Sequence, residues 1–494
     1  MKWIQILLVG TFGVLLEGCT VGPKYTKAPV PMPNPDTYKE LDGWKTAQPN
    51  DQAVKGKWWE LFNDSELNSL EDEVTVSNQN LKIVQARFRE ARAQVRYNRS
   101  FEFPTLTVAP SLVGERRSQN APYFPSTTYS TGDYVLPFDL SYEVDVWGRV
   151  RRTVAAAREE AQATEGDLET LSLSLHAELA LDYFELRSAD AQGQLLHDTV
   201  KAYAEALQLT INRLEGGAAP KSDVAQAQTQ LDAARVEETD ITVQRAQHEH
   251  AIAILVGRPP AQLSLPARTS DFQPPDISVG LPSQLLERRP DIAASERRVA
   301  EANEQIGIAR AAYFPTVLLN AAAGFQSQSI ADWFAWPSRF WAVGPTIAET
   351  IFDSRRRRAN SQAAQANYDA MVANYRQTTL TAFQQAEDNL AALRILEREA
   401  QQQREATKSA EESLQIFTNR YVGGADPYLQ VLTAQTIALE NERNDVDIRR
   451  RRMDASVLLI KALGGGWDRS QLPTGKQLGQ IGKDQAQQNG HGGN

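Results

Sequence analysis

Residues 420–427 read RYVGGADP, and residues 428–435 continue as YLQVLTAQ. A proline-free segment rich in Ala, Gln, Glu, Leu and Arg precedes them from Arg355 to Tyr421, and a second such segment follows. The glycine pair can end a helix because glycine adopts the left-handed conformation at little cost, and Pro427 suits the first turn of the next helix. At about 1.5 Å per residue the first segment would form a helix of roughly 100 Å. The stretch therefore predicts a long antiparallel coiled-coil hairpin whose tip lies far from the rest of the chain.

A similar motif occurs earlier in the chain and predicts a second hairpin: residues 213–217 read RLEGG and residues 223–228 read DVAQAQ. Other landmarks recur at nearly the same offset, which predicts a tandem duplication. These landmarks are Phe103-Pro104-Thr105 with Phe314-Pro315-Thr316, the basic runs at 149–152 and 355–358, and Gly257 with Gly464. We place the first repeat at residues 58–262, with strands at about 104–146, a long helix at 150–214 and a tip turn at 215–220. The second repeat is placed at residues 281–464, with strands at about 315–352, a long helix at 355–421 and a tip turn at 422–427.

Composition and motifs exclude several classes of protein. The net charge of −10 argues against a nucleic-acid scaffold, because such binding draws on concentrated Lys and Arg. The sequence contains no nucleophile elbow, phosphate loop or Cys-x-x-Cys pair. His248 and His250 lie two apart, so on a helix they point in nearly opposite directions and cannot share a metal ion. His176 and His197 are expected to be solvated helical residues. We therefore expect no metal site and no enzymatic activity.

The N-terminal sequence indicates the cellular location of the protein. A short basic start and an apolar run too short to span a bilayer end in Leu16-Glu17-Gly18-Cys19. This pattern resembles a bacterial lipoprotein signal peptide (residues 1–18), with Cys19 as the acylated first mature residue. Glu17 is unusual in such a motif, and a buried thiol is the alternative. Residues 19–57 are predicted to form a proline-rich extended tether, and residues 465–494 a disordered C-terminal tail. Apart from the lipid on Cys19, no cofactor is expected.

The predicted strands alternate between an apolar and a polar face. In residues 134–146 one face is Tyr134, Leu136, Phe138, Leu140, Tyr142, Val144 and Val146, and the other carries Asp139, Glu143 and Asp145. The second repeat places Val317, Leu319, Ala321, Ala323 and Phe325 on one face. Aromatic clusters accompany both strand pairs: Tyr123, Phe124 and Tyr129 in the first repeat, and Trp333, Phe334, Trp336, Phe340 and Trp341 in the second. This pattern is typical of barrel strands with lipid outside and water inside, the alternative being a strand of a soluble sandwich. Asp139, Glu143 and Asp145 would then face the lumen.

Four strands cannot close into a barrel, and an open sheet in lipid leaves two edges of unsatisfied backbone groups. The chain is therefore expected to oligomerise. In each repeat two shorter helices together match the long helix in length, so we expect them to stack end to end along it. In the first repeat these shorter helices are predicted at about 64–99 and 220–256, and in the second at about 282–312 and 427–463.

The motifs together resemble the outer-membrane efflux factors, the TolC-like proteins, in particular the lipoprotein branch similar to OprM and NodT. The residues that carry the resemblance are Cys19 to Tyr25, Trp58-Trp59, the two Phe-Pro-Thr motifs, Val144 to Arg149, Arg288 to Ile292 and the tip motifs. The resemblance implies a mainly α chain with membrane β-strands, the tandem-repeat protomer of a homotrimer. That trimer would have a twelve-stranded β-barrel in the outer membrane, four strands per chain, and a periplasmic α-helical barrel with an α/β equatorial belt. A periplasmic adaptor protein and an inner-membrane pump would dock at the tips.

In this family the tip is a gate. The resemblance puts Asp223 and Tyr421 in the place of a polar link between the repeats, and Asp426, Leu429, Gln430 and Thr433 at the constriction. Gly216, Gly217, Gly423 and Gly424 belong to turns that resemble the adaptor contacts. Gln430 and Thr433 depart from the acidic residues that the family often carries, so the basis for a cation-binding ring is missing. With Leu429 they are expected to form a mostly steric, partly apolar plug, the alternative being ordinary coiled-coil packing.

The expected function is a passive, gated outer-membrane duct for small molecules such as drugs and toxic metabolites. Two alternatives stay open on the sequence. One is the outer-membrane duct of a type I protein secretion system, and the other is a non-conducting coiled-coil structural lipoprotein.

Overall fold

The computed structural model describes residues 20–33, 36–40, 56–116, 130–269, 272–275, 277 and 282–479. Several predictions lie outside these residues: the signal peptide, Cys19, most of the tether beyond residue 40, the aromatics Tyr123, Phe124 and Tyr129, and residues 480–494.

The first repeat contains two long helices joined by a tight turn. Helix α3 has 67 residues and starts after Gly148, which takes the left-handed conformation with φ 80°. It ends at the pair Gly216-Gly217, and only Gly217 is left-handed, with φ 76°. The elements of this repeat are α1 (Ser65–Ser77), α2 (Gln79–Ser100), β1 (Thr105–Val108), β2 (Ser111–Arg116), β3 (Ser130–Glu143), α3 (Arg149–Glu215) and α4 (Lys221–Leu255).

The second repeat has the same order and nearly the same lengths. Helix α7 again has 67 residues and α8 has 35, as does α4. Gly424 takes the left-handed conformation, with φ 75°, in the place of Gly217. The elements are α5 (Leu285–Arg288), α6 (Pro290–Ala311), β4 (Thr316–Ser327), β5 (Arg339–Ala348), α7 (Arg356–Val422) and α8 (Tyr428–Ala462). A mainly helical chain with a small sheet is therefore confirmed.

The strands form one antiparallel sheet in which β1 and β2 both pair with β3, β3 pairs with β4, and β4 pairs with β5. The register gathers the apolar positions on one face, since Leu140 pairs with Leu106 and Ala321, and Ala321 pairs with Val343. The opposite face is polar, with hydrogen bonds from Ser141 to Asn320 (3.1 Å) and from Asn320 to Thr346 (3.2 Å). The alternation predicted for β3 is therefore observed up to Tyr142. Val144 and Val146 lie beyond the end of the strand at Glu143.

The short helices stack end to end, but at a break that the sequence did not predict. The predicted helix at about 64–99 is divided at Asn78, which has an extended backbone (ψ 126°) and is buried. The end of α4 abuts this break: a Cβ at Gly257 would lie 2.5 Å from the carbonyl oxygen of Ser77. In the second repeat Gly464 abuts Arg288 in the same way, at the junction of α5 and α6. The break at Asn78 therefore provides the place where the end of α4 meets the start of α2.

The described segments nearest the two ends of the chain, residues 20–33, 36–40 and 465–479, pack on the helical body. In the strap, which we define as residues 20–33 and 36–40, Tyr38 is buried in the central core around the middle of α3. The prediction of a disordered tail is wrong for residues 465–479, which include a short helix α9 (Gly475–Gly479). Trp467 and Leu478 are buried, and Leu478 packs with Val95 of α2 and Ala161 of α3. The burial of these two apolar side chains contributes to ordering a segment whose polar composition predicts disorder.

Within the part of the chain that the structure describes, no helix is both long enough and apolar enough to cross a membrane. The same residues contain no group of three or more His, Cys, Asp or Glu that could hold a metal ion. His248 pairs with Asp182 at 3.0 Å, and His250 is exposed. His197 is exposed as expected, but His176 is buried, which corrects the expectation of solvation.

Candidate functional site

The two tip turns lie side by side at the end of the helices remote from the sheet. We call residues 213–223 the first tip and residues 420–433 the second tip. Their turns have the same backbone hydrogen bonds, because Ala218 N donates to Arg213 O and Ala425 N donates to Arg420 O, both at 2.8 Å. An apolar cluster packs the two hairpins together just behind the tips. Its buried members are Tyr203, Leu207, Ala227, Leu231, Ala234, Tyr421, Tyr428 and Val431.

The polar link predicted between Asp223 and Tyr421 is not present. The hydroxyl of Tyr421 is buried and has no hydrogen-bond partner among the described residues. The carboxylate of Asp223 instead accepts a hydrogen bond from its neighbour Ser222 at 3.5 Å. The ring of Tyr421 packs edge-on against Tyr428 at 5.3 Å. Tyr421 is therefore held by the packing of its ring and not by a hydrogen bond to Asp223.

Arg213 makes the contact between the tips that the sequence did not predict. Its guanidinium lies over the ring of Tyr421, 4.6 Å from the centroid. Its Nη1 donates a hydrogen bond to the carbonyl oxygen of Val422 at 2.7 Å. This carbonyl belongs to the last turn of α7, whose orphan oxygens carry the negative end of the helix dipole. The only sequence signal was the repeated arginine before each glycine pair.

The second tip uses its own arginine differently. Arg420 pairs with Asp426 through two hydrogen bonds of 2.6 and 3.0 Å within the same turn. This hydrogen-bonded ion pair holds the pKa of Asp426 below its ordinary value. Asp426 therefore acts within the second tip and does not reach the first.

The other three residues predicted at the constriction form an exposed patch on the first turns of α8. Leu429 is 52 % exposed, and Gln430 and Thr433 are exposed as well. Thr433 Oγ1 donates to the carbonyl oxygen of Leu429 at 2.9 Å, so its hydroxyl is engaged with its own helix. The patch therefore presents an apolar side chain and an amide, but no carboxylate.

All four tip glycines are exposed, as a docking surface requires. Gly217 and Gly424 must be left-handed to turn the chain, whereas Gly216 and Gly423 cap the long helices in the right-handed conformation. A Cβ at Gly424 would lie 4.0 Å from Nη2 of Arg213, so the second turn faces the arginine of the first tip.

The three acidic residues predicted on the lumen face have different positions. Asp139 lies on the polar face of the sheet, in register with Thr107 and Ala322. Glu143 ends β3 and accepts hydrogen bonds from Arg149 at 2.9 and 2.5 Å. Asp145 is not part of the strand.

Asp145 instead caps helix α3. Its carboxylate accepts hydrogen bonds from the backbone N–H groups of Val150 at 3.0 Å and Arg151 at 2.8 Å. Free N–H groups at a helix start attract a carboxylate, and this attraction determines the position of Asp145.

The first described residues lie beside the junction between sheet and helix. Val21 N donates to the carbonyl oxygen of Trp147 at 3.1 Å. Thr20 packs so closely on Gly148 that a Cβ there would lie 2.7 Å from its methyl carbon. Thr20 and Val21 therefore lie at the base of the sheet.

Comparisons with known proteins agree with this architecture. The sequence pattern described as outer membrane efflux protein matches residues 70–258 and 281–465. The probable efflux pump outer membrane protein SepC of Pseudomonas putida is 33 % identical over 463 residues, which cover 92 % of this chain and 95 % of SepC. The outer membrane protein OprJ of Pseudomonas aeruginosa is 33 % identical over 465 residues, covering 92 % of this chain and 94 % of OprJ. The solved outer-membrane channel OprN superposes with a TM-score of 0.85 at 27 % identity, over 91 % of this chain and 100 % of OprN. The chain therefore belongs to the outer membrane efflux protein family.

Proposed function

We propose that this protein is the outer-membrane channel component of a tripartite efflux system, a passive duct for small molecules. The observation that carries the proposal is the amphipathic sheet joined to two helical hairpins of roughly 100 Å. Such a body is long enough to lead from a membrane into the periplasm. The similarity to SepC and OprJ over almost the whole chain supports the same conclusion.

The sheet supports a homotrimer. Its apolar face is unprotected, with Trp341, Val343 and Ile347 each at least 68 % exposed in the single chain. Its outer edges, formed by β1 with β2 and by β5, have no strand partner among the described residues. Unpaired edges and apolar side chains favour pairing with neighbouring copies. We propose that three copies close a twelve-stranded barrel in which β1 and β2 act as one strand.

The position of the N-terminal strap supports a lipid anchor on Cys19. Because Thr20 and Val21 are held at the base of the sheet, acyl chains on the preceding residue would enter the same membrane that holds the strands. We propose that Cys19 is lipidated and that no other group is bound permanently.

The tips support a docking and gating role. The exposed glycine turns are the part of the chain farthest from the sheet, so a periplasmic adaptor and an inner-membrane pump would meet the channel there. We propose that Leu429, Gln430 and Thr433 restrict the passage sterically until a partner biases the tips toward an open state. The pump would then select the exported molecule, and the duct would contribute no chemistry of its own.

Conductance of purified protein in planar lipid bilayers tests the duct directly. We expect stepwise ion currents with a preference for cations, because Asp139 lies on the polar face of the sheet. Heat-denatured protein is the control, and native mass spectrometry of the detergent-solubilised protein should give three copies of the 54.8 kDa chain or its lipidated form. A monomer that conducts nothing would contradict the duct and would favour the non-conducting coiled-coil lipoprotein.

A further inference from the structure

We propose that Arg213 is the latch that holds the two tips together in the closed duct. This proposal rests on the gated duct described above and assigns the closing contact to a residue outside the predicted pair of Asp223 and Tyr421. The latch has two parts, the ring face of Tyr421 and the carbonyl oxygen of Val422, and both belong to the second repeat.

A difference between the repeats explains why Arg213 is available. Arg420, its counterpart in the second repeat, is occupied by Asp426 within its own turn. The residue equivalent to Asp426 in the first tip is Ala219, which carries no charge. The two turns have matching backbone hydrogen bonds, so the position that holds the partner of Arg420 in the second tip lacks a carboxylate in the first. Arg213 therefore has no acidic partner in its own turn and reaches across to the second tip.

The groups that interact with the guanidinium of Arg213 belong to the second repeat. The side chain is half-buried, its Nε is buried without a hydrogen-bond partner, and within the described residues it forms no ion pair. An aromatic face and a carbonyl at a helix C-terminus are both favourable positions for a cation. Separating the tips would expose the guanidinium to water and leave the Val422 carbonyl without its donor. The contact therefore favours the arrangement in which the tips stay together.

The latch differs from the predicted link in what it requires of Tyr421. A cation over a ring needs the aromatic face and not the hydroxyl, which has no partner here. Tyr421→Phe should therefore leave the duct closed, whereas Tyr421→Leu should open it. Asp223→Ala should also leave it closed, because the carboxylate accepts its hydrogen bond from its neighbour Ser222 and none from Tyr421.

The experiment compares closed-state conductance in planar bilayers for wild type, Arg213→Gln, Tyr421→Leu, Tyr421→Phe and Asp223→Ala. We expect the first two substitutions to raise conductance roughly tenfold, within the usual range of coupling between two sites. Tyr421→Phe and Asp223→Ala should stay within about twofold of wild type, because neither removes a group that contacts Arg213. Circular dichroism and native mass spectrometry check that each variant is folded and has the same number of copies as wild type.

A second pair of variants tests the latch without changing Arg213, Tyr421 or Val422. Ala219→Asp gives Arg213 a local carboxylate in the position of Asp426, so the guanidinium should leave Val422 and conductance should rise. Ala219→Asn has nearly the same size without the charge and should leave conductance near the wild-type value.

The outcomes separate the latch from the duct. If wild type conducts and Arg213→Gln and Ala219→Asp do not raise its conductance, the latch is overturned and the duct stands. If Asp223→Ala and Tyr421→Phe raise conductance in place of Arg213→Gln, the predicted link is correct and the latch is wrong. If no variant conducts, the duct itself is overturned and the latch with it.

Discussion

At the scale of single residues, a buried acid–base pair stands out in the first repeat. Glu71 is 0 % exposed, and its carboxylate lies 2.6 Å from Nδ1 of His176, which is stacked under Trp59. Thr75 Oγ1 lies 3.4 Å from the other ring nitrogen. Burial raises the pKa of Glu71 well above 4.5, and burial lowers the pKa of His176 to about 4. The folded pair therefore holds one proton between about pH 4 and the raised pKa of Glu71.

This pair should give the protein a window of greatest stability in mild acid. The unfolded residues bind two protons below pH 4.5, one between pH 4.5 and 6.5, and none above pH 6.5. Because the pKa of Glu71 is raised on folding, the contribution of Glu71 to the free energy of unfolding falls as the pH rises above 4.5. Because the pKa of His176 is lowered on folding, the contribution of His176 falls as the pH drops below 6.5. Between these values the two effects cancel, so the contribution is flat there and declines on both sides.

Glu71→Gln should remove the decline in stability on the alkaline side of this pH window. With the carboxyl group gone, the buried His176 alone makes stability fall from pH 6.5 downward, by on the order of 2 kcal/mol at pH 5. Thermal unfolding followed by circular dichroism from pH 4 to 8.5 measures the effect. His176→Gln is the matched control, because it should move the decline to the other side, above pH 4.5. Parallel pH profiles for both variants and wild type would show that the pair does not share a proton.

At the scale of elements, the break at Asn78 lets two helices meet end to end. Asn78 Oδ1 accepts a hydrogen bond from Leu81 N at 3.0 Å and so caps the start of α2. Its Nδ2 donates to the carbonyl oxygen of Leu255 at 2.8 Å, which satisfies an orphan carbonyl at the end of α4. One side chain thus serves the start of one helix and the end of another.

Asn78→Ala should destabilise the protein by about 2–4 kcal/mol, because it removes a cap and leaves a buried carbonyl without a donor. Asn78→Asp keeps the acceptor for Leu81 but turns a buried carboxylate oxygen toward the Leu255 carbonyl, so it should destabilise the protein as well. Asn80→Ala is the control: Asn80 is exposed in the first turn of α2, and its loss should change stability by less than about 0.5 kcal/mol. Denaturant unfolding in detergent compares them, and equal midpoints for Asn78→Ala and Asn80→Ala would contradict this role.

At the scale of the whole molecule, one buried carboxylate ties both the strap and the described C-terminal segment (residues 465–479) to the second repeat. Glu296 on α6 is 2 % exposed. It accepts hydrogen bonds from the Tyr25 hydroxyl in the strap, from Arg469 in the C-terminal segment at 2.9 Å, and from the adjacent Arg297. The strap and the C-terminal segment therefore depend on the same group.

Glu296→Gln should loosen both ends at once. The substitution leaves Arg297 and Arg469 without this carboxylate, and breaking a buried ion pair of this kind costs roughly 3–5 kcal/mol. Limited proteolysis with mass spectrometry should show faster cleavage near Tyr25 and near Arg469, with Glu205→Gln on the exposed surface of α3 as the control. Faster cleavage at only one of the two ends would show that they are held independently.

The fold could be read from the sequence where the signals are local. The glycine pairs before Pro220 and Pro427 mark the ends of helices, and the alternation in β3 reports its two faces, because each depends on neighbouring residues only. The break at Asn78 was missed because it is set by Leu255, which lies far away in sequence. The ordered segment around Leu478 was missed because its polar composition does not reveal the apolar groove that receives it.

For the tips, the sequence by itself determined that there are two hairpins, where each one turns, and that Gln430 and Thr433 bring no charge to the constriction. Only the tertiary structure decided which side chains meet between them. Arg213 and Arg420 occupy the same position in two related turns, yet one reaches across to the other repeat and the other stays with Asp426. The physical reason is that a guanidinium goes to the nearest well-placed negative or aromatic group, and proximity across 200 residues is a property of the fold and not of the local pattern.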